Sequence, residues 1–144
     1  MVICADTSFL YSVYGNDLHS QRATAWLARG KHPISLSVFN HFELGNALRF
    51  AEFRKALQPG EAAVRWAQFE AAMNQGRVII ESCNLADVVD EAKRLSSTHT
   101  LSGGHRAFDV LHVAGALQMG ASQFLTFDAN QKKLAVAEGM TSPL

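Results

Sequence analysis

Residues 2–10 read VICADTSFL, and this stretch decides the fold. Val2–Ala5 is a short apolar run of the kind that forms a buried strand, and Asp6 stops it at once. A helix is expected to start at Thr7. The rest of the chain repeats that alternation. Residues 18–29 carry Ala23, Trp26 and Leu27 at helical spacing, and Gly30 closes them. Ile34–Ser37 predicts a second strand. From Val38 to about Leu57, Leu44, Ala47, Leu48 and Ala51 recur at the spacing of one helical face. Pro59 is expected to open a further helix, with Ala62, Trp66, Phe69 and Met73 on one face and Gly76 as its stop. Val78–Ile80 is β-branched and short, hence a strand. Asn84 then caps a helix striped by Leu85, Val88, Ala92 and Leu95, with Asp87 in its first turn. Thr100–Arg106 is expected to be a loop around Gly103-Gly104, followed by a helix over Ala107–Met119. Gln123–Thr126 is a strand, and a last helix begins near Asp128.

Short strands separated by helices predict an α/β fold of three layers, a short parallel sheet with helices on both faces. With 144 residues and no Pro/Gly/Ser linker, residues 1–144 are expected to form a single domain. Apolar residues make up 48%, enough for a proper core. Thirteen basic residues balance thirteen acidic ones, so a nucleic-acid partner would have to meet a local basic patch. Cys4 and Cys83 belong to no CxxC pair, and Cys4 reads as a buried, inert thiol. Asp6 interrupts the N-terminal apolar run, which therefore is no signal peptide. No run approaches the ~20 apolar residues of a membrane span, and a cytoplasmic protein is the expectation.

In open α/β sheets ligands bind beyond the carboxyl ends of the strands. Asp6 follows the first strand and Asp128 follows the last, in FLTFDANQ. Each has a plain alternative reading as a helix N-cap, where Asp is favoured. Glu43, in VFNHFELGNAL, is harder to dismiss. It sits between Phe42 and Leu44 with no Lys or Arg in the stretch before Arg49, and a charge beside an apolar face costs several kcal/mol unless compensated. Gly45 beside it lowers helix stability by ~1 kcal/mol relative to Ala, which points to close packing there. Asp109 occupies the first turn of an almost wholly apolar helix, where the helix dipole favours an acid by ~0.3–1 kcal/mol. Arg106 three residues earlier is its simplest partner. Acids gathered at one sheet end repel each other unless a cation neutralises them. Oxygen ligands without clustered His or Cys suit Mg²⁺ or Mn²⁺, ions able to activate water against a phosphodiester.

At these residues the sequence resembles the PIN-domain family, and within it the VapC-type toxin ribonucleases. The matching pieces are DTSFL, FELGNAL, FDVLHVAGAL and FLTFD, in order and spread over nearly the whole chain. The resemblance implies a metal-dependent endoribonuclease whose Mg²⁺ (or Mn²⁺) is held by Asp6, Glu43, Asp109 and Asp128. Thr7 and Ser8 match the hydroxyl residues after the family's first acid, expected to orient a ligand or water. It further implies RNA as substrate, single-stranded or structured, and a cognate antitoxin of a type II toxin–antitoxin module. The alternatives are a non-toxin PIN-type nuclease of RNA maturation or turnover, or a catalytically silent α/β binding module. The helical insert Pro59–Gly76 and the phenylalanines Phe39, Phe42, Phe50 and Phe53 depart from the family pattern.

The aromatic surplus over Val38–Gly76 predicts a homodimer, since aromatics concentrate in interface cores. Arg106 beside Gly103-Gly104 is a candidate phosphate contact. The six histidines show no zinc spacing such as HExxH and read as surface or core residues. Phosphotransfer by an aspartyl nucleophile is disfavoured: haloacid-dehalogenase-like enzymes need Asp where position 8 is Ser.

Overall fold

The computed structural model describes all residues, Met1–Leu144. The chain runs β1 (Ile3–Ala5), α1 (Thr7–Tyr14), α2 (Ser20–Arg29), β2 (Ile34–Leu36), α3 (Val38–Phe53), α4 (Glu61–Asn74), β3 (Val78–Ile80), α5 (Leu85–Leu95), a short α6 (Leu101–Gly103), α7 (Ala107–Gln118), β4 (Gln123–Leu125) and α8 (Ala129–Ala137). Four parallel strands lie in the order β3-β2-β1-β4. The chain builds outward from β1 to β3, then crosses back to add β4 on the other side of β1. The order reverses at the β1/β4 boundary, the crevice where open α/β sheets bind ligands.

Alternation along the strands assigns the two cores. Ile3, Ala5, Ile34, Leu36 and Leu125 face one layer with Phe9, Leu10, Leu44, Leu48 and Phe69. Cys4 and Phe124 face the other, with Val88, Leu95, Val110, Val113 and Leu134. The buried Cys4 thiol is pushed up to about 12 by desolvation first, and so is inert. Gly45 is where the Trp66 ring of α4 crosses α3: an added Cβ would lie 3.3 Å from Trp66 Cζ3. That contact accounts for the glycine.

Two sequence expectations need correction. Residues 100–103 are helical: α5 continues through a π-turn over Ser96–Thr100 into α6, and only at Gly104, with φ of 64°, does the backbone leave the helix. Gly103-Gly104 marked a loop there, but Gly103 still belongs to the helix, and Ser97, Thr98 and Ser102 hydroxyls bond back to carbonyls of their own helix. Pro59 does not open α4 either. Gly60, with φ of 82°, precedes Glu61, whose carboxylate reaches back to the Gln58 N–H at 2.7 Å.

Candidate active site

Asp6 is the first residue beyond β1 and the N-cap of α1, so its expected capping role and its place at the crevice coexist. Its backbone N–H donates to the Leu125 carbonyl at 3.0 Å, tying the strand end to β4. Its carboxylate is only 2% exposed. It accepts from the Ser8 hydroxyl at 2.8 and 2.7 Å, the Phe9 N–H at 2.8 Å and the Thr126 hydroxyl at 2.6 Å. Desolvation raises Asp6 to about 6, against the lowering effect of these donors and of His112. A buried carboxyl displaced this far by its surroundings is a candidate functional group.

Glu43 is delivered by a separate anchor. Asn40, buried one turn before it on α3, donates from Nδ2 to the Ala5 carbonyl at 3.1 Å. Its Oδ1 accepts the Ser37 N–H at 3.2 Å, so the start of α3 is pinned to the end of β1. Glu43 Oε2 then meets His112 Nε2 of α7 at 3.2 Å, and Thr7 Oγ1 lies 3.2 Å from the same nitrogen. A carboxylate only accepts, so this contact assigns the proton to Nε2. His112 Nδ1 is buried without a hydrogen-bond partner. Burial acts to raise Glu43, but His112 and the Thr7 hydroxyl outweigh it and hold the carboxyl below its ordinary range.

Asp109 lies in the first turn of α7, half-buried, and Asp128 caps α8 by accepting the Gln131 N–H at 2.8 Å. Gln131, buried, donates from Nε2 to the Asp109 carbonyl at 3.1 Å and so links the two acid-bearing helices. Thr126 links Asp128 to Asp6, accepting the Asp128 N–H at 3.0 Å while donating to the Asp6 carboxylate. Asp109 is raised by desolvation first, then by the charges of Asp128 and Glu43, with His112 and Arg106 opposing. Asp128 and Glu43 therefore act on Asp109, and no Lys or Arg forms an ion pair with any of the four.

The side chains as they stand do not form a finished cage: no three His, Cys, Asp or Glu groups are close enough to hold one ion. Asp6, Glu43 and Asp128 instead direct their lone pairs to the internal donors just named. The donor set still fits a hard cation, being oxygen-rich, mutually repelling and without basic counter-charges. Arg106 is exposed at the start of α7, with the Gly104 turn just before it. His112 and Thr126 were missed by the sequence reading. The signal for His112 was a lone imidazole inside a run of Val, Leu and Ala, a polar group that burial obliges to find a partner.

A family model for the PIN domain matches residues 3–137, and the chain belongs to that family. No curated protein matches it by sequence. Among solved structures, VapC20 of Mycobacterium tuberculosis, a Sarcin-Ricin loop cleaving toxin, superposes with a TM-score of 0.69 at 19% identity, covering 96% of each chain. FitAcB from Neisseria gonorrhoeae gives 0.62 at 19% identity over 98% of this chain and 96% of its own. VapBC2 from Rickettsia felis, bound to a DNA fragment from its promoter, gives 0.63 at 14% identity over 99% and 97%. At these identities the likeness is one of fold.

Proposed function

We propose that this protein is a metal-dependent endoribonuclease that hydrolyses RNA phosphodiester bonds through Asp6, Glu43, Asp109 and Asp128. The observation that carries the reading is the arrangement of these four acids. They come from the ends of β1 and β4 and from α3 and α7, and none has a Lys or Arg ion-pair partner. A bound Mg²⁺ or Mn²⁺ supplies activated water and stabilises the charge that builds on the phosphate. The chain's own part is positioning. Ser8, Thr126 and the Phe9 N–H hold Asp6 to one orientation, and a carboxylate held by several donors cannot swing away from a shared ion. His112, with Thr7, fixes Glu43. The Ser8 hydroxyl spans both Asp6 oxygens, so a ligand on that carboxylate would have to displace one of its contacts. Arg106 meets a substrate phosphate from the rim.

We assign the protein to the toxin side of a type II toxin–antitoxin module, held inactive by a cognate antitoxin. Membership of the PIN family and the resemblance in fold to VapC20 and VapBC2 support this. Exposed Phe42, Phe50 and Phe53 on α3 support a homodimer, and a monomeric mass by light scattering would argue against it. Action in the cytoplasm goes with the same reading; no helix is long and apolar enough to cross a membrane.

The test is cleavage of single-stranded RNA by the purified protein in Mg²⁺, in Mn²⁺ and in EDTA. Cleavage confined to the metal arms, and lost in Asp6→Asn and Asp109→Asn, is expected. A wild-type protein that cuts no RNA in either metal sinks the reading.

A further inference from the structure

Helix α2 gathers basic and aromatic side chains on one face. His19 at its N-cap, then Arg22, Trp26 and Arg29, follow at steps of three and four, the spacing of a single stripe, and Lys31 lies just past Gly30. At one end the stripe reaches the chain beside Asp128. The His19 ring lies flat on Phe127, centroids 4.4 Å apart and planes within 5°, and Phe127 is the residue before Asp128. The Arg22 guanidinium sits 5.6 Å above the same ring. At the other end Arg22, Trp26, Arg29 and Lys31 line a cavity of about 590 Å³. Ile3 and Gln123 also line it, the first residues of β1 and β4, so this cavity opens at the amino edge of the sheet, behind the acids.

The charge here is unopposed. Arg22, Arg29 and Lys31 are exposed and form no ion pair. No Asp or Glu occurs from Leu18 to Phe42, in a chain whose net charge is zero. Cations spaced along a ridge with aromatic rings between them match a flexible polyanion that carries flat bases. Phe127 is covered by His19, Phe9 and Arg22, so half-buried Trp26 is the aromatic of the stripe that lines the cavity; an acidic protein segment would answer the cations but not that ring.

We propose that this stripe is the docking track for single-stranded RNA, leading from Asp128 along α2 to the amino edge of the sheet. Phosphates rest on Arg22, Arg29 and Lys31, and a base stacks at Trp26. The proposal rests on the ribonuclease reading and names the path of its substrate.

The test measures binding apart from cleavage. A labelled single-stranded RNA of about ten bases, a length within known single-strand site sizes, is titrated in EDTA and followed by anisotropy. Wild type is compared with the triple variant Arg22→Ala/Arg29→Ala/Lys31→Ala. These side chains are exposed, and an unchanged melting temperature verifies the fold. The variant is expected to bind at least about tenfold more weakly, with a salt slope shallower by about 2, at ~0.7 for each of three phosphates. In Mg²⁺ its KM for the same RNA rises while kcat, and turnover of a dinucleotide too short to reach the track, stay unchanged. Equal RNA affinity and salt slope in the two proteins overturn the track. The same holds if the variant keeps its RNA affinity and loses only affinity for poly-glutamate, the probe for an acidic protein segment. Weakened RNA binding in the variant, with no cleavage by wild type, leaves the track standing and removes the ribonuclease reading.

Discussion

Asp6→Asn separates the chemistry of the site from its architecture, because burial makes the native carboxylate costly. Desolvation lifts Asp6 from an ordinary 3.8 to about 6 despite its hydrogen-bond donors. A rise of about 2 at ~1.36 kcal/mol each amounts to ~3 kcal/mol held against the ionised folded state. The folded protein keeps this proton up to about pH 6, whereas the unfolded chain releases it near 3.8. Between those limits the folded state binds more protons. Stability therefore falls as pH rises through the window, and the full penalty stands above it. Asn carries no charge. The metal-free Asp6→Asn protein should match wild type near pH 4 and exceed it by up to ~3 kcal/mol at pH 7.5. At ~3 °C per kcal/mol for a chain of this size, that is up to about 10 °C in melting temperature. Cleavage of RNA should meanwhile fall by orders of magnitude. The assay is thermal unfolding in EDTA across that pH range, paired with cleavage in Mg²⁺. A variant less stable than wild type by ~1 kcal/mol at every pH, the result of a weakened helix cap, would refute the reasoning.

Three further outcomes follow from the contacts around the acids. His112→Gln should lower kcat by about 10–100-fold with little change in KM, because Glu43 loses the group that orients it; steady-state kinetics on a defined RNA decide this. Thr126→Val removes a donor from ionised Asp6 and an acceptor from the Asp128 N–H, a loss of ~1.5–3 kcal/mol at neutral pH. Because the Thr126 bond lowers Asp6, its removal should also move the acid limb of the pH–rate profile to higher pH; an unmoved limb would count against Asp6 as the titrating group. Mn²⁺ binding should release a proton at pH 5, below the Asp6 value of about 6, and none from Asp6 at pH 8; calorimetry in buffers of different ionisation enthalpy reads that difference.

How much of this was legible in the sequence depended on the kind of signal. Strand ends were readable because Asp6 and Asp128 each break a short apolar run, and a parallel sheet puts its ligands beyond such ends. Glu43 stood out as a charge between Phe42 and Leu44. Its partner did not, because pairing between α3 and α7 spans 69 positions and depends on how both helices pack. His112 therefore read as an ordinary core or surface residue. Thr126 looked like strand composition, and only the register of β1 against β4 turns its hydroxyl toward Asp6. The helix over residues 100–103 was hidden for a different reason: Gly103-Gly104 marks a loop, yet only Gly104 leaves the helix, and Ser and Thr hydroxyls before it bond within the helix. The basic stripe on α2 is masked in the sequence by an overall charge of zero and by the apolar spacing of Ala23, Trp26 and Leu27 in the same segment.

The claim underlying all of this is that Asp6, Glu43, Asp109 and Asp128 share a cation. Anomalous diffraction from crystals soaked in Mn²⁺ tests it without reference to any substrate. The expected result is a peak bounded by these carboxylates, with Ser8 rotated off Asp6 and the peak absent from Asp6→Asn crystals. Manganese found only at other carboxylates, with Asp6 still bonded to Ser8 and Thr126 and Glu43 to His112, would contradict it.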